Sequence, residues 1–457
     1  MNIAAPQCIR TMAAQIRATL KRLDKLQSAQ DTGLVRLSPP RVSIAAAIEM
    51  LGPRVFLGHW PSSRVSILSS RLPRRKDHVP WWFDALRTAA IRSADDGAAL
   101  VSVPGTTSAP FLQRLCELFG LPCLPINLPE QKTMAPDSVA NWLETNSLPT
   151  KAITVSPQIE LPGFAPDQAL IRLPLQDRTL ALCGTRLISL HTVTNGNCHQ
   201  LLKHQLFSGK PIMLPAVRGR KPAQQAVRSL IQKGAHRWIL EPLSAKPLVS
   251  GALLRAPVAS DRTPVSHPAH WLCHWTRPHH GPWSDQCEHD YLDELLLASP
   301  TADRSAQASL IQIVHHQKII AASLSAACSA VSWTAVPLTD FRKRRVFRPH
   351  KQHFDFEPWG IAVRRQWLVQ NGCQPVRYIA RSSAASPGPA WLEHPATSRD
   401  GKIDWREEQE WRSSHAVDLS AAPSNHIIVF VDRLSMVSRR LINLVRLRGW
   451  AFVEIPG

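Results

Sequence analysis

Between residues 44 and 242 the chain alternates short β-branched, aliphatic runs with segments of helical period, and this rhythm restricts the fold more than any other feature. "RVSILSS" (64–70) and "AALVSV" (98–103) read as strands. "KAITVS" (151–156), "TRLISLH" (185–191), "KPIMLP" (210–215) and "HRWIL" (236–240) continue the series. Between them, "PWWFDALRTAAIRSA" (80–94) reads as a helix opened by Pro80, and "SAPFLQRLCELFG" as one closed by a left-handed cap at Gly120. "NCHQLLKHQLF" and "PAQQAVRSLIQKG" give two more helices. Short strands that are apolar on both faces, separated by helices, belong in a parallel sheet covered on both sides. Residues 44–242 therefore predict a Rossmann-like α/β domain.

Doubly wound sheets bind ligands beyond the carboxyl ends of their strands. Ser69, Ser70 and Arg71 follow the first strong strand, and Gly105, Thr106 and Thr107 follow the second. In "PGTTSAPF" a glycine and two hydroxyl residues precede a helix, where backbone N–H groups and the positive dipole end suit a phosphate. A plain turn with a Thr or Ser N-cap is the alternative. The segment is no P-loop, because the spaced second glycine and the Gly-Lys pair are missing. Gly105 and Thr106 resemble part of the Gly-Gly-x-Gly-Thr-x-x-Glu loop of Rossmann-like proteins related to LOG-type phosphoribohydrolases and DNA-processing protein A. That resemblance implies a nucleotide-binding domain. Ala109 stands at the Glu position, so it does not imply hydrolase activity.

The second half reads differently. Residues 267–457 mix several short strands with few long helices and predict an α+β domain. "HWLCHWTR" (270–277) and "AVSWTAVPL" (330–338) read as strands, "DYLDELLLAS" as a helix, and "ASLIQIVHHQKIIAAS" (308–323) as a helix running into a turn. His274 and Thr276 on the first strand, Ser332 and Thr334 on a middle strand, and the Glu410-Trp411-Arg412 run together resemble the ADP-ribosyltransferase fold. "EPWGIAVRRQWLVQNGCQPVRYI" (357–379) is similar to a segment of abortive-infection proteins, which implies a role in phage defence. The resemblance implies NAD as cofactor. Glu410 would then stabilise an oxocarbenium-like ribose. His274, with Arg277, would hold a ribose hydroxyl or phosphate. Ser332, Thr276 and Thr334 would line the pocket, and Tyr378 or Trp275 would stack on the nicotinamide. A solvated acidic run at 407–410 and a core histidine at 274 are the alternatives.

Charge widens the choice. The 457 residues hold 54 Lys and Arg against 34 Asp and Glu, a formal charge of +20, which favours phosphate-bearing partners unless the whole surface is merely basic. Arg342, Lys343, Arg344, Arg345, Arg348 and Lys351 interleave with Phe341, Phe347 and Phe354, a pattern that could track a phosphate backbone and stack on bases. The opposing reading is a mobile solvated loop.

Residues 1–43 predict a basic helical leader, and 243–266 and 382–401 predict a linker and a surface loop. The nine cysteines form no C-x-x-C pair, which suits a reducing, cytoplasmic setting. No apolar run reaches the roughly 18 residues that a membrane span needs. His270, His274, Cys287 and His289 match no zinc spacing, so no metal is expected. Three readings stay open: an NAD-consuming enzyme of ADP-ribosyltransferase type with a nucleotide-binding domain, a non-enzymatic nucleic-acid-binding protein, and an inactive member of the same fold.

Overall fold

The computed structural model describes residues 34–146, 151–160, 168–215, 221–238, 256–259, 263–325, 328–340, 343, 345–348, 353–379, 389–398 and 404–456. Residues 1–33 of the expected leader, most of the 243–266 linker, half of the 382–401 loop, and Phe341, Arg342, Arg344 and Lys351 lie outside the described residues. The chain is mixed α/β and divides into two units. One comprises the described residues between Met1 and Lys246 together with Pro282–Ala302; the other comprises those of Pro247–Gly281 and Asp303–Gly457.

In the first unit, in chain order, β1 (Val35–Arg36), α1 (Ile44–Leu51), β2 (Phe56–Leu57) and β3 (Arg64–Ser69) lead to α2 (Pro80–Asp95) and β4 (Ala99–Ser102). Then come α3 (Ala109–Phe119), β5 (Cys123–Asn127), β6 (Ile153–Val155), α4 (Leu175–Cys183) and β7 (Arg186–His191). The series closes with α5 (Asn197–Phe207), β8 (Ile212–Pro215), α6 (Lys221–Ile231) and β9 (His236–Trp238). The sheet order is β1-β2-β6-β5-β4-β3-β7-β8-β9, parallel from β6 to β9. The chain runs outward from β3 through β4 and β5, then returns to lay β7 on the other side of β3. This is the doubly wound arrangement, and the direction reverses at β3/β7.

Alternation along β3 and β4 sorts side chains between two cores. Val65, Ile67 and Leu100 pack with Trp82, Phe83, Leu112 and Leu115 of α2 and α3. Leu68, Ala99 and Val101 pack with Met50, Leu180 and Leu201 of α1, α4 and α5. Gly120 ends α3 in the left-handed region, at φ 62° and ψ 32°, as its position after the apolar stripe requires.

One helix expected in the second domain belongs to the first unit. α7 (Glu288–Leu296) carries Tyr291, Leu292, Leu295 and Leu296 on a single stripe, and they pack on the α2/α3 core. Arg114 of α3 grips Asp293 with two hydrogen bonds of 2.7 and 2.8 Å, and Arg87 donates to the Leu296 carbonyl. Linear order hid this, because the helix is reached only after the whole parallel sheet has been completed.

Several cations serve as internal staples. Arg64 is fully buried and donates to the carbonyls of Cys183, Pro61 and Pro40. Lys210 donates to the Ala181 and Leu182 carbonyls at 2.8 and 2.9 Å, at the carboxyl end of α4, where the helix dipole favours positive charge.

The second unit is built on a separate sheet. Its members are β10 (Trp271–Trp275), β11 (Ala322–Ser325), β12 (Cys328–Thr334), β15 (Trp359–Arg364), β16 (Gln374–Pro375), β17 (Glu410–Ser413), β18 (Ile427–Val431) and β19 (Ala451–Glu454). A hairpin, β13 (Phe347–Arg348) and β14 (His353–Phe354), stands apart from it. The order is β16-β17-β12-β10-β15-β18-β19, with β11 pairing β12, and only β18/β19 is parallel. Of the helices α8 (Ala306–His316), α9 (Arg365–Gln370) and α10 (Arg439–Leu447), α8 and α10 cover one face through Leu310, Val314, Leu441 and Val445. Trp271, Cys273, Ala362, Ile428 and Phe430 form the core on the other face. "KIIAAS", expected as a helix end and turn, enters strand structure instead, with Ala322–Ser325 paired to β12. Part of the expected linker is also paired: Ala259 N–H donates to the Phe452 carbonyl at 2.9 Å.

Burial lowers the Lys210 ammonium to about 8, partly countered by Cys183. Between that value and the unfolded value near 10.5 the unfolded chain holds a proton that the folded chain has released, so stability rises with pH across this window. Denaturation midpoints of wild type measured from pH 8 to 10 are expected to show that component, and Lys210→Met to lack it. Equal slopes for the two proteins would count against the assignment.

Candidate functional site

A cleft of about 250 Å³, its open mouth included, lies at the carboxyl edge of the first unit's parallel sheet. Four segments line it. β3 contributes Leu68 and Ser69, and the loop ahead of α3 contributes Thr106, Thr107 and Ser108. Asp177 and Leu180 come from α4, and Cys198 and Leu201 from α5. The position follows from topology. Connections leaving β3 and β7 pass to opposite faces of the sheet, and a crevice opens where they part.

Several expected residues are found here. Ser69, Thr106 and Thr107 line the cleft. Gly105 stands just outside it, exposed, at φ 84°, a conformation that suits glycine. Ser70 has a holding role: its N–H donates to the His191 carbonyl at 2.7 Å and its hydroxyl accepts from Val193 N–H at 3.2 Å, joining the ends of β3 and β7. Arg71 is exposed and makes no hydrogen bond or ion pair with the described residues, and the same holds for Arg74 three residues on.

The hydroxyls are mostly committed within the protein. Thr106 Oγ1 donates to the Val103 carbonyl at 2.8 Å, and Ser108 Oγ to that of Ile67 at 2.6 Å. Ser108 occupies the N-cap position of α3 without capping it, so the helix begins with no side-chain cap. Asp177 has no hydrogen bond or ion pair among the described residues. Burial raises its carboxyl above the usual range, with the Arg71 charge pulling the other way. Cys198 lies 3.5 Å from Ser189 Oγ and 3.8 Å from Thr192 Oγ1. Burial pushes its thiol up to about 11, so it is protonated at neutral pH and unsuited to nucleophilic attack.

Asp177, Ser108 and Cys198 were not singled out from the sequence. Asp177 sits in an ordinary amphipathic helix from a different βα unit, and nothing local announces that the helix crosses the β3/β4 edge.

The second unit separates the residues expected to hold NAD. In the β12/β17 register Trp333 faces Trp411, Thr334 faces Glu410 and Ser332 faces Arg412. Trp333 belongs to the core under α8 and α10, and its ring meets that of His274 at 5.6 Å. His274 therefore lies on the helix-covered face, whereas Ser332, Thr334 and Glu410 point to the opposite face, because strand side chains alternate. The three expected catalytic groups do not share a cleft.

Their bonding agrees. Glu410 accepts from Arg412 Nε at 2.9 Å and Nη2 at 3.0 Å, so both carboxylate oxygens are engaged by a buried guanidinium. That guanidinium also donates to the Trp391 and Glu393 carbonyls. Thr276 Oγ1, fully shielded, donates to the Ala306 and Trp359 carbonyls, and Thr334 Oγ1 to that of Glu408. Tyr378 Oη accepts the Glu410 backbone N–H at 3.1 Å, so it braces β17, and its ring meets that of His394 edge-on at 6.3 Å. Arg277 is exposed. Each of these polar groups meets a structural requirement. His274 is in β10 of the second unit, and Cys287 and His289 open α7 of the first.

No protein-family model matches the chain, and no curated protein does. Solved structures similar to part of it include DNA processing protein A from Helicobacter pylori, at 16% identity over 41% of this chain and 82% of that one, with a TM-score of 0.28. DNA processing protein A from Streptococcus pneumoniae is 13% identical over 40% of this chain and 62% of its own, with a TM-score of 0.27. The first is described by its single-stranded DNA binding mode. Similarity of this extent defines neither a common fold nor a common function. Among the described residues, no helix is long and apolar enough to cross a membrane.

His274 Nδ1 lies 2.9 Å from the Ser332 carbonyl, which fixes the proton on Nδ1. Burial lowers this imidazole to about 4, the Ser332 bond partly countering and the Arg277 charge adding to the shift. The unfolded imidazole protonates first, so this group costs stability as pH falls from 6.5 toward 4. NMR titration is expected to find the His274 ring neutral at pH 6, and His274→Phe to flatten that part of the stability profile. A ring titrating near 6.5 would refute the buried assignment.

Proposed function

We propose that the protein binds nucleic acid, and that the carboxyl edge of the first unit's parallel sheet receives its phosphates. One observation carries this reading: the cleft at the β3/β7 reversal stands beside Arg71, an exposed guanidinium with no hydrogen bond or ion pair among the described residues, and Arg74 follows in the same loop. An α3 start without a side-chain cap adds the positive end of a helix dipole. The formal charge of +20 supplies the long-range attraction that a polyanion would feel. Arg64 and Lys210 are spent on internal carbonyls, so they are not part of that surface.

Shape favours contact with one phosphate of a longer strand. The cleft's roughly 250 Å³ counts its open mouth, so it is a shallow crevice that meets a ligand from outside and does not enclose a small molecule. Asp177 supplies an acceptor for a sugar hydroxyl or a base amino group, while Arg71 and the α3 start take the phosphate.

Fluorescence anisotropy with a 20-nucleotide oligomer tests the reading. Affinity is expected to fall with salt, with each arginine that contacts a single strand adding about 0.7 to the log–log slope. Arg71→Glu with Arg74→Glu is expected to weaken binding at least tenfold and to flatten the slope, with an unchanged denaturation midpoint because both side chains are exposed. Wild-type affinity in that variant, or binding of mononucleotides as tight as that of the oligomer, would overturn the reading.

A further inference from the structure

The β13–β14 hairpin of the second unit has surface chemistry that its fold does not require. Phe347 and Phe354 are cross-strand partners, with ring centroids 5.2 Å apart and planes at 63°. Phe347 is 48% exposed and Val346 beside it 47%, whereas a ring needed for packing would be covered. The Arg345 guanidinium stacks on the other aromatic, 3.9 Å above the Phe354 centroid, and also lies 3.6 Å from Glu357. The exposed Lys343 precedes it. The sequence adds Arg342, Arg344, Arg348 and Lys351 to the same stretch, six cations from 342 to 351.

We propose that this hairpin is a base-stacking platform for single-stranded nucleic acid, with the open Phe347 ring taking the face of one base and the exposed Lys343 and Arg345 following the strand's phosphates. An aromatic ring offered to solvent among cations suits a ligand that carries flat π-faces on a polyanionic backbone. A protein partner with an apolar patch would not call for that density of positive charge, and a double helix would keep its base faces stacked inside. The Arg345–Phe354 stack braces the ring pair from beneath, and Glu357 accepts from Phe354 N–H at 3.3 Å, tying the hairpin's second strand to its return. This surface belongs to a different unit from the cleft and does not depend on it.

The test uses the full chain with two probes, oligo(dT) of 20 nucleotides and an abasic deoxyribose-phosphate strand of the same length. Wild type is expected to prefer the dT strand. Phe347→Ala is expected to lose about tenfold in affinity for dT, to bind the abasic strand as wild type does, and so to erase the preference. Phe347→Trp is expected to retain it. Two results would overturn the platform: unchanged dT binding in Phe347→Ala, or equal losses on both strands. The outcomes are separable from those at the cleft, because Arg71→Glu with Arg74→Glu is expected to weaken both strands alike.

Discussion

Parallel pairing of β3 with β4 on one side and β7 on the other is the constraint on which the first unit depends. Both neighbours run in the same direction as β3, so each connection must cross over the sheet, and the two crossings take opposite faces. α3 is delivered to one side of the carboxyl edge, α4 and α5 to the other, and the cleft is what remains between them. Ser70 secures the ends of the two strands at that point. Arg64 and Lys210 do the equivalent work through carbonyls of α4 and its carboxyl end. Positive charge thus serves internal cohesion as well as the external attraction proposed above.

In the second unit the governing rule is the period of two. Once Trp333 is buried beneath α8 and α10, every neighbour in register is assigned to a face. His274 goes with Trp333, and Glu410 goes away from it. Gly360 shows how tight that sheet is: a Cβ there would lie 2.2 Å from Phe430 Cζ and 2.3 Å from the His274 carbonyl oxygen. A histidine held this closely, with its proton committed to a backbone carbonyl, stabilises the sheet and is not poised for acid–base chemistry.

The cleft offers committed hydroxyls, a protonated thiol, an acceptor at Asp177 and cations nearby. The hairpin offers rings and guanidinium groups. Under the proposed reading these groups meet charged, flat ligands through electrostatics and stacking, and such binding weakens with salt.

Local pattern alone determined most of the first sheet, whereas β5 in its middle and β1 and β2 at its edge were not expected. The expected strands at 64–70, 98–103, 151–156, 185–191, 210–215 and 236–240 all appear, because apolar runs bounded by helices have few other ways to satisfy their backbones. It also determined the carboxyl-edge positions Ser69, Thr106 and Thr107, since strand ends are visible in sequence. Tertiary structure alone decided the rest. α7 joins the first unit because its stripe fits α2 and α3, a match between segments some two hundred residues apart. Asp177 and Cys198 reach the cleft only when separate crossovers converge. Whether His274, Ser332 and Glu410 meet depended on register, and a shift of one residue in register reverses every face while leaving the sequence pattern of each strand unchanged.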